Sequence, residues 1–158
     1  MIRICHAQTI ADLEGILKLQ RDNSLYSITL EEKKIEGFVM VQHKLEDLEA
    51  FAKEAPQVLA KDGDEVCGYA LAMPKSLRQS MAMLVPMFEQ MDKILIQGKS
   101  ITTYEFITIG QVCIKKGYRG IQLFDQLYGA YQSEFRSKFD FAITEISTSN
   151  VRSMRAHE

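Results

Sequence analysis

The chain has 158 residues, 46% of them hydrophobic and 25% charged, which fits one globular domain with its own core and leaves no room for a second. The formal net charge is -2 and acidic and basic residues interleave throughout, so no basic stripe offers itself to nucleic-acid phosphates. No apolar run is long enough to span a bilayer, and the start MIRICHAQT lacks the basic end and hydrophobic stretch of a signal peptide, so a cytoplasmic protein is expected.

Ile2 to Ala7 fits a short strand. Thr9 with Asp12 forms a capping box, and Ile10, Leu13, Ile16 and Leu17 share a face at helical spacing, predicting a helix to about Arg21. Thr29 with Glu32 opens a second, charged helix, and Gly37 to Val41 is a non-helical break. Leu45, Leu48 and Phe51 give an amphipathic helix stopped by Pro56. Val58 to Ala60 and Val66 to Leu71, separated by Asp62 and Gly63, predict an antiparallel hairpin that Pro74 ends.

Five of the eight methionines lie between Met73 and Met91. Behind Pro86, the residues Leu84, Met87, Phe88, Met91 and Leu95 recur at helical spacing. Ile101 to Ile114 is rich in Ile, Thr, Tyr, Phe and Val and predicts a long central strand, with Gly110 marking a bulge or close approach. After the turn from Lys115 to Gly120, the residues Phe124, Leu127, Tyr128, Tyr131 and Phe135 make an amphipathic helix. Phe139 to Ile146 is a further strand, and Asn150 caps a last helix over Val151 to Glu158. This order predicts an α/β or α+β domain: a central mixed, twisted sheet with helices on both faces, its strand-helix-strand unit from Ile101 to Ile146 parallel and right-handed.

A turn that leaves a strand and opens a helix points backbone N–H groups and the positive end of the helix dipole at whatever sits above it, which suits phosphate. Here Lys115, Lys116 and Arg119 add charge, while Gly117 and Gly120 permit close approach. The same residues fit a plain structural turn.

The segment QVCIKKGYRGIQLFDQLY resembles the central motif of the GNAT N-acyltransferase superfamily, in which a strand leads through a glycine-rich turn into a helix. The order of elements resembles that family over nearly the whole chain. The resemblance implies acetyl-CoA as co-substrate, with Val112, Cys113 and Ile114 facing pantetheine and Arg119, Gly120, Ile121, Gln122, Leu123 and Phe124 forming the pyrophosphate loop. Gln122 and Phe124 stand where the family motif has glycine and glycine or alanine. Side chains there are compatible with binding as long as main-chain amides remain the donors.

Asn150, Ser153 and His157 resemble the later motif, in which an asparagine helps hold pantetheine and a tyrosine seven residues on protonates the departing thiolate. The resemblance thus gives Asn150 a cofactor role beside its plain N-cap role. It makes His157 the acid, since imidazolium is competent near neutral pH. Glu105 and Glu145, flanked by apolar residues, are the candidate bases; both also fit solvent-facing strand positions, and a water relay is the alternative to either.

The three cysteines are odd in number and widely spaced, and no His or carboxylate stands at ligand spacing, so buried reduced thiols and no metal are expected. Cys113 reads as packing rather than as a nucleophile, His6 as a satisfied core histidine and His43 as surface. The family's usual final strands do not follow the last helix, so a truncated chain or a homodimer that completes the sheet is expected. The resemblance implies direct attack by a small-molecule or protein amine on the thioester. The competing reading is a non-catalytic acyl-CoA-binding or interaction module that keeps the fold with a degraded motif.

Overall fold

The computed structural model describes residues 1–24, 29 and 38–158. The helix body expected beyond Thr29 and the glycine at 37 lie outside them. Strand β1 (Ile2–His6) leads into helix α1 (Ile10–Asp22), followed by α2 (Leu45–Glu54) and the strands β2 (Val58–Asp62) and β3 (Glu65–Pro74). Short helices α3 (Leu77–Ser80) and α4 (Val85–Met91) precede a small hairpin, β4 (Leu95–Ile96) and β5 (Lys99–Ser100). The chain closes with β6 (Phe106–Ile114), α5 (Leu123–Phe135), β7 (Phe141–Thr144) and α6 (Val151–Ala156).

The five-stranded sheet runs β1-β2-β3-β6-β7, antiparallel except for the parallel pair β6–β7, with β1 and β7 as its edges. Alternation along β3 sends Tyr69, Leu71 and Met73 to one face, where they pack with Leu13, Ile16, Leu48, Phe51 and Phe88 from the helices α1, α2 and α4. Ala70 and Ala72 face the other way, and these small side chains let Leu123, Leu127, Tyr131 and Phe135 of α5 sit close to the sheet. Each fully buried Leu or Phe stabilises the fold by about 1.5–3 kcal/mol. The expected sheet with helices on both faces is thus observed.

The capping box at the start of α1 is present and does a second job. Asp12 N–H donates to Thr9 Oγ1 (3.2 Å), while Asp12 Oδ2 accepts from the N–H groups of Thr9 (3.1 Å) and Gln8 (3.0 Å). The other carboxylate oxygen accepts from Lys61 Nζ on β2 at 2.6 Å, tying helix to sheet. Burial opposes the charge on Asp12, but the bonds from Lys61, Gln8 and Thr9 outweigh it and hold the carboxyl at about 2.

Several boundaries differ from the sequence expectation. The Met-rich helix ends at Met91, and Leu95 is 67% exposed in the β4–β5 hairpin, which turns on the left-handed Gln97 and Gly98. The central strand starts at Phe106 because Ile101–Thr103 form a 3-10 turn, whose cap Ser100 Oγ accepts from Thr102 N–H. The β2–β3 turn sits on Gly63 and Asp64 rather than on Asp62 and Gly63, since Asp62 still pairs with Glu65. His43 is buried rather than surface, and His6 is no core residue: its side chain is 40% exposed and lies 3.5 Å from Glu134. Cys67 and Cys113 are buried as expected, whereas Cys5 is only partly so.

The feature that shapes the molecule is a bulge in β6. Its register with β3 slips between Leu71↔Gln111 and Ala72↔Ile109, leaving Gly110 as the extra residue. A Cβ on Gly110 would lie 2.2 Å from Met73 Sδ, so the glycine leaves room for the Met73 thioether, which any side chain there would have to displace. The fully buried Gln57 pins β3 at the same level, accepting from Ala72 N–H (2.8 Å) and donating to Ala72 C=O (3.1 Å) and Ala55 C=O (2.8 Å).

Asp12→Asn should cost about 2 kcal/mol at pH 7, because a carboxyl held at about 2 and free at 3.8 stabilises the fold fully above about pH 4. Urea unfolding should show the gap to wild type closing as pH falls from 4 towards 2; a pH-independent gap would refute the charge origin. Gln122 caps α5 in the left-handed region (φ 59°) with no side-chain cap bond. Gln122→Gly should therefore gain on the order of 1 kcal/mol, read in the same assay, since the strain relieved exceeds the added chain entropy.

Candidate functional site

The parallel ladder between β6 and β7 ends at Ile109↔Thr144, one residue before Gly110, and the two strands part. Beyond that point β6 runs on to Ile114, paired among the described residues with β3 alone. Lys115 N–H donates to Cys67 C=O (2.9 Å), which places the main-chain groups of Cys113 and Gln111 on the β3 side by alternation and those of Val112 and Ile114 on the open side. Arg119 Nε donates to Ile114 C=O (3.0 Å), and its Nη2 donates to Asn23 Oδ1 (2.8 Å). Val112 therefore offers a donor and an acceptor, and Ile114 a donor, along an open strand edge.

At the end of that edge the chain turns into α5. Gly117 (φ 95°), Gly120 (φ 80°) and Gln122 (φ 59°) all take left-handed conformations, and the first-turn N–H groups of this 13-residue helix emerge beside the strand end. A cleft of about 460 Å³ lies between them, lined by Val112, Ile114, Arg119, Phe124, Asn150 and Arg152 among others. Of the expected loop residues, Arg119, Gly120, Gln122, Leu123 and Phe124 line it, as does Cys113 from the strand. Ile121 does not; it is 49% exposed. Lys115 is spent on an ion pair with Glu65. Burial pushes the Cys113 thiol up to about 12, against the pull of Arg119, so it stays an inert packing group.

A second cleft of about 430 Å³ opens on the far side of Val112, walled by methionines and by Ile109, Gly110 and Glu145. The two clefts share Phe38, Val39, Val112, Asn150, Ser153 and His157, so they meet. The extended segment 38–43 is stitched across this junction. Asn150 Nδ2 donates to Phe38 C=O (2.9 Å), Val39 N–H to Asn23 C=O (2.9 Å) and Gln111 Nε2 to Val41 C=O (2.9 Å). His43 ends it, its N–H donating to Gln20 Oε1 (2.9 Å) and its Nδ1 accepting from Gln20 Nε2 (3.0 Å).

Asn150 is buried and caps α6 through Oδ1, which accepts from Ser153 N–H at 3.4 Å. Both ends of its amide are thus engaged within the protein. His157 lies at the meeting point of the clefts. Its Nδ1 is 2.7 Å from Ser153 C=O, and a carbonyl only accepts, so Nδ1 carries the proton and Nε2 accepts from Tyr128 O–H at 2.5 Å. Burial pushes the Tyr128 phenol up to about 12, keeping it a donor. Phe124 packs edge-on against the imidazole with centroids 5.0 Å apart.

The structure separates the two candidate bases. Glu105 stands at the opposite end of β6, largely exposed and paired with Lys75 Nζ at 2.7 Å, and lines neither cleft; its expected catalytic role is corrected on that ground. Glu145 lines the methionine-walled cleft and is exposed, in keeping with the solvent-facing reading of its sequence and not with burial among its apolar neighbours. Sequence reasoning missed Tyr128, Gln111 and Asn23. Only Tyr128 left a trace, one helical turn beyond Phe124.

No protein-family model matches this sequence. No curated protein matches it either. Solved structures do. Aminoglycoside N-acetyltransferase AAC(6')-Iy, in complex with a bisubstrate analogue, is 14% identical with a TM-score of 0.63, covering 99% of this chain and 87% of its own. YncA from Salmonella typhimurium, a putative acetyltransferase with acetyl-CoA, is 16% identical (TM-score 0.62, 99% of this chain, 76% of its own). A ribosomal-protein-alanine N-acetyltransferase from Brucella melitensis is 20% identical (TM-score 0.58, 98% and 80%). Over nearly its entire length, the chain has the fold of the GNAT N-acetyltransferases.

Proposed function

We propose that the protein transfers an acetyl group from acetyl-CoA to a primary amine by direct attack. The observation that carries this reading is the open edge of β6, which presents the Val112 and Ile114 main-chain groups beside the N-terminus of α5. That edge is a ready partner for an amide-bearing chain ending in phosphates, and the charge of the two clefts matches the two substrates. The α5 cleft carries Arg119 and Arg152 against one acid, Asp125, which suits the phosphates of CoA. The methionine-walled cleft carries Glu145, which suits an ammonium.

Each chemical need has a resident group. The Val112 N–H faces the junction and holds the developing oxyanion. Glu145, alone or through water, takes the proton of the attacking amine. The Tyr128–His157 pair returns a proton to the departing thiolate: with His157 as imidazolium, Nε2–H donates to the Tyr128 oxygen and frees the phenol proton. Positioning of the two substrates across the junction supplies much of the remaining acceleration. The relatives' amine substrates support an amine acceptor for this chain as well.

The non-catalytic reading draws on two observations: Gln122 occupies a left-handed position suited to glycine, and both His157 nitrogens are engaged within the protein. Calorimetry with acetyl-CoA, alongside free-thiol release over a panel of amines, decides between them. Binding with turnover is expected; binding without turnover on any amine supports the module instead.

Two sets of substitutions test the assigned groups. Val112→Pro removes an N–H that faces the gap and should weaken acetyl-CoA binding about tenfold with the far-UV spectrum retained. Cys113→Pro removes one bonded to β3 and should unfold the sheet. Tyr128→Phe and His157→Phe should each lower kcat about a hundredfold with little change in KM for acetyl-CoA. Unchanged kcat in both would remove the pair from the reaction.

A further inference from the structure

We infer that the acceptor cleft is built for a small monoamine carried on an apolar body, and not for a polyamine. This deepens the acetyltransferase reading and rests on it for the orientation of the amine.

The walls come first. Met73, Leu84 and Met87 line the interior, and Met40, Val41 and Met83, which are 56%, 47% and 50% exposed, form an apolar rim. Unbranched thioethers adapt to flat or irregular apolar shapes and make favourable contacts with aromatic rings. Apolar side chains left this exposed around a cleft mark a place where something apolar is received.

The polar groups of the cleft are largely spoken for. Gln111 uses both ends of its amide, accepting from Tyr69 O–H (2.6 Å) and donating to Val41 C=O (2.9 Å). Thr144 donates its hydroxyl to Ile109 C=O (2.9 Å). Asn150 caps α6 and holds Phe38. His43 is anchored by Gln20, and burial pushes its imidazole down, against the pull of Asp47, so it adds no charge. Among the described residues that line the cleft, Glu145 is the one carboxylate, and it has no hydrogen bond or ion pair.

One carboxylate compensates one ammonium. A second or third ammonium pressed against methionines would lose its hydration with nothing in return, and that penalty rises steeply with burial. An aryl or alkyl group beside a single ammonium places its charge at Glu145 and its apolar body on the methionines. A volume of about 430 Å³ admits such a molecule whole.

The test compares 2-phenylethylamine with spermidine on the full chain, by thiol release with acetyl-CoA and by calorimetry with CoA present. Wild type should prefer 2-phenylethylamine at least about tenfold in kcat/KM and in affinity. Glu145→Gln should weaken its binding about tenfold, and Met83→Glu, which adds a second carboxylate at the rim, should move the preference towards spermidine by a similar factor. Circular dichroism checks that both variants fold. Equal or tighter binding of spermidine by wild type overturns the inference, as does binding of neither amine. If neither is acetylated but the calorimetric preference holds, the acetyl-transfer reading falls and the assignment of the cleft stands.

Discussion

The extra residue in β6 decides the architecture of the site. A regular strand would keep its ladder with β7 from end to end, and every main-chain group on that edge would be consumed inside the sheet. By inserting Gly110 opposite the Leu71–Ala72 step, the chain re-aims β6 and ends the ladder at Ile109↔Thr144. A side chain at this position would have to displace the Met73 thioether, which fills the space below it. Gln57 compensates on the other side of β3, giving Ala72 the hydrogen bonds that the end of β2 does not supply. The open edge therefore exists because strand pairing was interrupted at one residue.

An open edge is a hazard unless something covers it or uses it. Here the segment 38–43 partly roofs the gap, and it does so through side-chain amides rather than through a ladder. Asn150, Gln111 and Gln20 each hold one of its main-chain groups; Asn150 and Gln111 spend the other end of the amide on Ser153 and Tyr69, and Gln20 spends it on the His43 ring. Amides of this kind are neutral and carry both a donor and an acceptor, so they hold the strap without placing charge at the junction. The charges are left at the outer ends, arginines on one side and a carboxylate on the other, where an anion and an ammonium would approach from opposite directions.

Local chemistry was legible in the sequence where a few adjacent residues determine it. The Thr9–Asp12 box, the bulge at Gly110 and the cap at Asn150 each follow from near neighbours and are where they were expected, and the turn before Val66 is displaced by a single residue. Misreadings arose where a neighbouring cap or turn competes with the composition, or where a distant residue decides. Ile101 to Thr103 have strand composition, but the Ser100 hydroxyl captures Thr102 N–H and curls the chain. Leu95 keeps helical spacing, yet Gln97 and Gly98 turn the chain back on itself. His43 looks exposed until Gln20, 23 residues away, folds over it. Glu105 and Glu145 have similar neighbours in sequence, and only the parting of β6 from β7 leaves one at the cleft and the other beside Lys75.

The same distance effect governs the proposed proton donor. From sequence alone, His157 stands in for a tyrosine; in the folded chain a tyrosine is present after all, on α5 instead of α6, with its hydroxyl on the imidazole. A lone phenol held near 12 gives up its proton reluctantly, and a lone imidazole with Nδ1–H fixed on Ser153 presents only a lone pair. Together they have what each lacks. Protonation at Nε2 reverses the hydrogen bond between them, and the phenol then releases its proton without becoming a phenolate, because the imidazolium refills it. In the proposed relay the charge change falls on the imidazole, while the group that hands over the proton never carries a charge. In the proposed reaction a side-chain pair drawn from two helices, its imidazole lining both clefts and its phenol set against that ring, would thus take the part of a single tyrosine.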